Sequence, residues 1–185
     1  MSIEKEPISM NYTYKQLRGA DILRNNGGGY RLKLLKYFRL CQTTDNKLLL
    51  PYYRWRFKRL KEKRHIELSG KCKIGPGLYL GHIYCITVND NAVIGCNCNI
   101  HKGVTIGQEN RGQRKGAPII GNKVWIGVNA TVVGKITIGD DVLIAPNSYV
   151  NCDVPSHSVV FGNPCIIKHQ EGATDGYVNN ICSLE

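Results

Sequence analysis

The sequence has no apolar run long enough to cross a membrane. No stretch approaches the roughly 20 apolar residues that a spanning helix needs, and residues 1–14 lack the apolar core of a signal peptide. We therefore expect a cytoplasmic protein. The 8 cysteines include no Cys-x-x-Cys pair and no zinc-ribbon spacing, so the sequence predicts no metal site.

Acidic residues are scarce in the first third of the chain. Residues 1–65 contain 16 Lys and Arg against 5 Asp and Glu, a formal charge of +11, whereas residues 66–185 contain 9 of each. Residues 12–40 show the apolar spacing of helices, with a glycine-rich break at 27–29, and residues 48–63 interleave aromatic and basic side chains. The sequence therefore predicts a basic α-helical N-terminal segment.

Three interpretations of this basic segment are open. The first is a helix pair that covers the end of a repeat domain and exposes a solvated basic face. The second is peripheral contact with an anionic membrane through Arg54, Arg56, Lys58 and Arg59, whose aromatic neighbours suit the interface. Nucleic acid is the least favoured partner, because no recognised DNA- or RNA-binding motif accompanies the charge.

From residue 74 to residue 150 the chain repeats a six-residue unit. Each unit has an aliphatic anchor, often followed by glycine, and a small or β-branched residue four positions on. The anchors are Ile74, Leu80, Val88, Ile94, Ile100, Ile106, Ile120, Ile126, Val132, Ile138, Ile144 and Val150. This period fits neither a helix nor a hairpin meander and is typical of a hexapeptide β-helix.

We therefore predict an all-β solenoid, a left-handed parallel β-helix of hexapeptide repeats with three strands per coil. It should occupy residues 66–166, after the helical segment 1–65 and before a C-terminal tail, 167–185. Anchors should fill the interior, and fourth-place residues should pack near corners. The glycines that follow anchors are expected to permit positive φ at the corners.

The first break in the period holds a histidine. Leu80 and Val88 are eight residues apart rather than six, so two extra residues must bulge from the wall of the coil. His82 lies two places after its anchor and should point away from the packed interior. A lone histidine is more often structural than catalytic. Its place in a bulge makes His82 the first candidate for chemistry.

The second break inserts a loop, residues 107–119, between Ile106 and Ile120. Long excursions from a regular solenoid usually carry function. The basic residues of the loop are Arg111, Arg114 and Lys115. With three strands per coil, His101 should stack on Gly81 at about one 4.8 Å strand spacing, and the loop should leave near His82. We therefore predict that both histidines, the bulge and the loop converge on one corner.

An ordered set of motifs resembles the hexapeptide acyltransferases, most closely their serine acetyltransferase branch. The likeness covers residues 66–168. It rests on Lys73-Ile74-Gly75, Gly77-Leu78-Tyr79-Leu80, Val104-Thr105-Ile106-Gly107, Val124-Trp125-Ile126-Gly127 and Gly162-Asn163-Pro164. The resemblance implies that His82 is the general base. It also implies that Glu67, fifteen residues earlier where the family usually has Asp, orients that imidazole.

The resemblance further implies an acetyl-CoA donor, a homotrimer and no metal. Acetyl-CoA would lie between adjacent prisms, past Gly107, Val128 and Pro146, with Lys168 as a candidate for a CoA phosphate. The acceptor-binding residues would be His101, Arg111, Arg114 and Lys115.

Two departures from the serine acetyltransferase pattern concern the acceptor. That branch carries a substrate-contacting histidine before the proline that closes the loop, whereas Ala117 precedes Pro118 here. Its N-terminal helical region is also much longer. Both departures argue against serine as the acceptor. A short basic helical segment together with a loop that reads Arg-Gly-Gln-Arg-Lys-Gly-Ala-Pro resembles the sugar O-acetyltransferases of surface-polysaccharide assembly, which implies a sugar hydroxyl as the acceptor. Serine O-acetyltransferase of cysteine biosynthesis is the alternative.

Two further alternatives belong to other functional classes. A γ-class carbonic anhydrase on the same fold needs three zinc-binding imidazoles, and only His82 and His101 lie on the appropriate part of the repeat. A non-enzymatic β-helix protein is disfavoured by the combination of His82 and the loop, because a plain scaffold needs neither.

Overall fold

The computed structural model describes residues 11–26 and 28–183, and this part of the chain forms three helices followed by fourteen strands. Residues 1–10 of the predicted N-terminal segment, Gly27 of its predicted break and residues 184–185 of the predicted tail lie outside the described residues. The helices are α1 (Tyr14–Arg24), α2 (Gly29–Thr43) and α3 (Leu50–Glu62). None of the helices in the described ranges is long and apolar enough to span a bilayer.

The strands follow one another at short intervals from residue 73 to residue 169. They are β1 (Lys73–Ile74), β2 (Tyr79–Gly81), β3 (Thr87–Val88), β4 (Val93–Ile94), β5 (Asn99–His101), β6 (Thr105–Gly107), β7 (Ile119–Ile120), β8 (Trp125–Ile126), β9 (Thr131–Val133), β10 (Thr137–Ile138), β11 (Val142–Ile144), β12 (Tyr149–Val150), β13 (Ser158–Phe161) and β14 (Ile166–His169).

These strands build three sheets, in which strands β1 to β12 are assigned to the three sheets in turn and β13 and β14 extend the second sheet. The first sheet has the order β1-β4-β7-β10, the second β2-β5-β8-β11-β13-β14 and the third β3-β6-β9-β12. All pairs are parallel except β13 with β14. The predicted coil of three parallel strands per turn is confirmed.

The register of the strand pairs shows how the coil absorbs its irregularities. Thr137 pairs with Ile119 one plain turn of the coil away. Tyr79 pairs with Asn99 across the bulge, and Asn99 pairs with Trp125 across the loop, so these two turns contain more residues than the plain one. The extra residues therefore leave the wall at corners and do not shift the strands.

The repeat residues pack as predicted. Every anchor is at most 5% exposed, and the fourth-place residues from Leu78 to Val154 are buried as well. Because strands of successive coils lie about 4.8 Å apart, each anchor packs on the anchors above and below it and fills the prism.

The glycines that follow anchors serve a different purpose from the one predicted. A Cβ on Gly75 would lie 2.9 Å from the carbonyl carbon of Gly95, and a Cβ on Gly121 would lie 2.7 Å from the carbonyl oxygen of Gly139. These glycines stack where successive coils leave no room for a side chain, so the expectation that they supply positive φ is wrong. Other corner residues, such as Asn129 (φ 58°), adopt that conformation, which asparagine tolerates.

A buried ion pair attaches the helical segment to the first coil. Arg39 Nε on α2 donates to Asp21 Oδ2 on α1 at 2.8 Å, and both side chains are fully buried. The same guanidinium donates to the carbonyl oxygens of Ile74 and Gly75. The Leu78 N–H donates to Asp21 Oδ1 at 3.2 Å. The helical segment thus covers the first coil, as the capping interpretation predicts.

The C-terminal residues return along the outer face of the second sheet. Asn99 Nδ2 donates to the Tyr177 carbonyl at 3.0 Å, and Asn97 Nδ2 donates to the Cys182 carbonyl at 3.0 Å. The predicted tail boundary at residue 167 falls inside β14, which pairs antiparallel with β13. The boundary after residue 65 stays a prediction.

Asp141 holds the start of this returning segment. Its buried carboxylate accepts hydrogen bonds from the Thr174 hydroxyl at 2.6 Å and from the Ala173 and Thr174 N–H groups at 3.1 Å. His157 Nδ1 lies 2.9 Å from Asp141 Oδ2 and 3.2 Å from Glu171 Oε2. One carboxylate therefore anchors the tail to the prism.

Candidate active site

His82 lies outside the packed interior, as predicted. It follows β2 at the corner between the second and third sheets, is exposed and has φ of 48°. The bulge continues to Cys85, whose N–H donates to the Arg64 carbonyl at 2.9 Å. The His65 ring contacts the Tyr84 ring, with 5.2 Å between centroids. The bulge is thus packed against the segment that enters the prism, and the His82 imidazole is accessible.

The second histidine packs beside the first. His101 pairs with Gly81 in register, and a Cβ on Gly81 would lie 2.3 Å from His101 Nδ1. The His101 ring lies 6.3 Å from the His82 ring and 4.7 Å from the Trp125 ring, between centroids. The predicted stacking of His101 on Gly81 is confirmed, and it requires glycine at that position.

His101 is held uncharged. Its pKa is lowered to about 4, first by burial and then by the charges of His82 and Arg31. Within the described residues, His101 Nε2 is buried without a hydrogen-bond partner. The imidazole next to His82 is therefore uncharged at neutral pH.

Glu67 lies on the far side of the bulge from His82. Its N–H donates to the Ile86 carbonyl, its carbonyl accepts from the Val88 N–H, and it forms an isolated bridge with Thr87. Its side chain is exposed. Within residues 11–26 and 28–183, no hydrogen bond or ion pair joins Glu67 to His82. The orienting role of Glu67 stays a prediction.

The loop does not leave the prism beside His82. It begins after β6, at the corner between the third and first sheets, whereas His82 lies at the corner between the second and third. The expected convergence within one chain is wrong, because β6 spans the whole side that separates the two corners. Only the two histidines and the bulge come together.

The loop is folded against itself and the next coil. Arg114 Nε lies 3.2 Å from Glu109 Oε1, and the Arg114 carbonyl accepts from the Lys135 N–H at 2.8 Å. Arg111 and Lys115 are exposed. Arg114 is therefore engaged in holding the loop, and the other two bases face solvent.

The residues predicted to contact CoA fall into separate places on one chain. Val128 and Pro146 stack at the corner that also carries His82, where the Asn147 N–H donates to the Val128 carbonyl at 2.9 Å. Gly107 lies at the next corner. Lys168 is exposed on β14, with its Nζ 5.6 Å from the Phe161 ring.

Two family models match the coils. One, described as bacterial transferase hexapeptide (six repeats), matches residues 117–152, and one described as hexapeptide repeat of succinyl-transferase matches residues 86–109. A serine acetyltransferase from Helicobacter pylori is 37% identical over 98 residues, 53% of this chain and 57% of that protein. Over its coils, the chain is therefore similar to hexapeptide-repeat transferases.

A second curated relative shows the same partial overlap. A serine acetyltransferase from Staphylococcus aureus is 38% identical over 111 residues, which is 60% of this chain and 52% of that protein. The chain thus spans about half the length of the curated relatives that it matches.

Solved structures resemble this hexapeptide-repeat chain over more of its length. The serine acetyltransferase from Brucella abortus strain S19 matches with a TM-score of 0.71 and 25% identity, over 87% of this chain and 71% of that one. The Neisseria gonorrhoeae enzyme in complex with serine matches with a TM-score of 0.65 and 27% identity, over 84% and 69%. With the hexapeptide matches, these structures imply that the coil is a left-handed β-helix, as predicted.

Two cavities carried no signal that was read from the sequence. A cleft of about 1000 Å³ lies between α3 and the third sheet and is lined by Glu67, Gly107, Arg54, Lys58 and Lys61, among others. The spacing of the three bases by four and three residues could have revealed one helical face. A second cavity, of about 320 Å³, adjoins His101 and is lined by Tyr79, Trp125 and Tyr177.

Within the described residues, no group of three or more His, Cys, Asp or Glu side chains is arranged to hold a metal ion.

Proposed function

We propose that the chain is an acetyl-CoA-dependent O-acetyltransferase whose acceptor is the hydroxyl group of L-serine. The observation that carries the proposal is the accessible His82 imidazole beside the uncharged His101, at the bulge of a hexapeptide coil. The relatives and solved structures described above are named serine acetyltransferases, and this favours serine over the sugar predicted from the sequence.

The chemistry requires a base because an alcohol is a poor nucleophile. His82 takes the hydroxyl proton as the oxygen attacks the thioester carbonyl. The carbon–sulfur bond then breaks, and the departing CoA sulfur takes the proton from the imidazolium. No covalent enzyme intermediate is needed. A backbone N–H at the cleft would stabilise the oxyanion, and Glu67 would orient His82.

A homotrimer is part of the proposal. On one chain a whole side of the prism separates the His82 corner from the loop corner and Gly107. A site that uses both therefore needs two chains side by side, with the bulge of one facing the loop of its neighbour. Acetyl-CoA would lie in that cleft, along Val128 and Pro146, with Lys168 near a phosphate.

A sugar hydroxyl is the second candidate acceptor. The observation that favours it is Ala117, which stands before Pro118 where the resemblance leads us to expect a substrate-contacting histidine. The alanine methyl group offers no hydrogen bond to the carboxylate or ammonium group of serine.

The test is transfer of the acetyl group from acetyl-CoA to L-serine or to a panel of free and nucleotide-linked sugars, with products identified by mass spectrometry. Saturable formation of O-acetylserine supports the proposal, and acetylation of sugars alone replaces serine with the second candidate. In the His82→Asn variant, kcat should fall by roughly 10²- to 10⁴-fold while acetyl-CoA binding and the trimer persist. Turnover close to that of the unmodified protein in this variant would overturn the role of His82.

A further inference from the structure

A groove of about 250 Å³ lies between α2 and α3, on a side of the helical segment that the proposed function does not use. Its lining residues are Lys33, Trp55, Arg56, Arg59, Leu60 and Lys63. Four of these six residues are cationic, and none carries a carboxylate. We refer to this set as the basic groove.

The cations of the basic groove have no counter-charge in the described part of the chain. The ion pairs there involve other bases, such as Lys58 with Glu62 on α3. Arg56 Nε is buried without a hydrogen-bond partner among the described residues, and the Arg56 guanidinium carbon lies 5.8 Å from the Trp55 ring centroid. A buried donor without an acceptor is costly, and clustered like charges repel one another. A bound anion would relieve both.

Helix α3 and the residues just before it expose large apolar side chains. Leu48 is 90% exposed, Trp55 52% and Tyr52 50%, and the Tyr52 and Trp55 rings lie 6.2 Å apart. Trp and Tyr are enriched where a membrane meets water, because their rings are apolar and their N–H or O–H groups are polar. A soluble anion such as free phosphate would make no use of these side chains.

We propose that this face docks on an anionic membrane, with a lipid phosphate in the basic groove and the side chains of Leu48, Tyr52 and Trp55 in the interfacial layer. The charge of +11 on residues 1–65 complements such a surface, since the rest of the chain is formally neutral. This inference does not depend on the acceptor or on the chemistry at His82.

The structure also changes which basic residues we expect to contact the membrane. Of the four that the sequence singled out, Arg56 and Arg59 line the basic groove, whereas Arg54 and Lys58 line the large cleft beside Glu67. Successive residues of a helix point in different directions, so one run of bases supplies two faces. The face that borders the large cleft therefore offers a control variant in which the same number of charges can be removed.

The test compares two triple variants of the full chain. The groove variant is Lys33→Gln, Arg59→Gln and Lys63→Gln. The control variant is Arg54→Gln, Lys58→Gln and Lys71→Gln, three bases that line the large cleft. Both keep Arg56, which packs on Tyr37. Co-sedimentation is measured with phosphatidylcholine vesicles and with vesicles of phosphatidylcholine and phosphatidylglycerol at a ratio of 7 to 3.

The unmodified chain should bind the anionic vesicles alone and should lose binding at high salt. Each interfacial cation strengthens binding about fivefold, so the groove variant should bind roughly a hundredfold more weakly. The control variant should keep at least tenfold more affinity than the groove variant. Equal losses in both variants would overturn the groove and leave only diffuse attraction.

A second measurement reports on Trp55 directly. In a Trp125→Phe background, the remaining tryptophan fluorescence should be quenched by brominated phosphatidylcholine in anionic vesicles. No quenching on bound vesicles would refute the placement of this face. Saturable calorimetric binding of inorganic phosphate without vesicle binding would overturn the proposal in favour of a soluble anion. Tighter binding to single-stranded RNA than to anionic vesicles would do so in favour of nucleic acid.

Discussion

Replacing Asp141 with Asn should release the C-terminal segment from the prism at a cost of about 2 kcal/mol. Burial alone would raise the pKa of Asp141. Hydrogen bonds from Thr174 and His157, and the charge of Lys123, instead lower it to about 2 from an ordinary 3.8. A difference of about 1.8 pKa units at 1.36 kcal/mol each is about 2.4 kcal/mol. Asn keeps the φ of 54° that Asp adopts here, so the change isolates the charge.

The sign of the pH dependence follows from the lowered pKa. The stabilisation is complete above the unfolded value of about 4 and disappears as the pH falls through about 2. The free-energy cost of the substitution should therefore be complete at pH 7 and about half as large at pH 3.

Hydrogen exchange at the Ala173 and Thr174 amides measures the effect, because both N–H groups donate to Asp141. Their protection should fall about 60-fold at pH 7. The matched control is Asp175→Asn, which removes the same charge from an exposed side chain of the same segment. A loss of less than about threefold, or an equal loss in the control, would refute the reasoning.

Two further variants test contacts of the first coils. Gly81→Ala should cost about 1–3 kcal/mol in urea unfolding and lower kcat/KM, because the new methyl group overlaps the His101 ring. The stability cost should vanish in a His101→Ala background, and persistence there would contradict the clash. Arg39→Met should cost about 3–5 kcal/mol, since it leaves Asp21 buried without a counter-charge. The double variant with Asp21→Leu should recover most of that loss in thermal unfolding, and no recovery would contradict a cost from the unpaired carboxylate.

The six-residue period was sufficient to predict the fold. It placed each anchor in the interior and brought His101 onto Gly81, because a regular coil turns sequence spacing directly into spatial neighbours. The same spacing puts the loop after the Ile106 strand, a whole side of the prism beyond the corner of His82, so the expectation that the loop leaves near His82 disregarded the length of β6.

Contacts between distant segments carried no sequence signal. Asp141 and Thr174 are far apart in the chain, and nothing in either local sequence indicates that a carboxylate would meet a returning hydroxyl group. The proposed CoA cleft raises a different difficulty. It would lie between two neighbouring chains, so one sequence read along its own coil could not show which residues meet there.

The plain turn, the turn with the bulge and the turn with the loop contain different numbers of residues, yet their strands pair in the same way. The coil therefore tolerates insertions at its corners, and this tolerance determines how the chain can change during evolution. Insertions at a corner leave the strand pairs undisturbed, whereas one residue added inside a strand would turn its anchor outwards. Corner segments can therefore be lengthened, shortened or exchanged between relatives while the prism is inherited unchanged. Acceptor preference can diverge in this way without a new fold having to be stabilised.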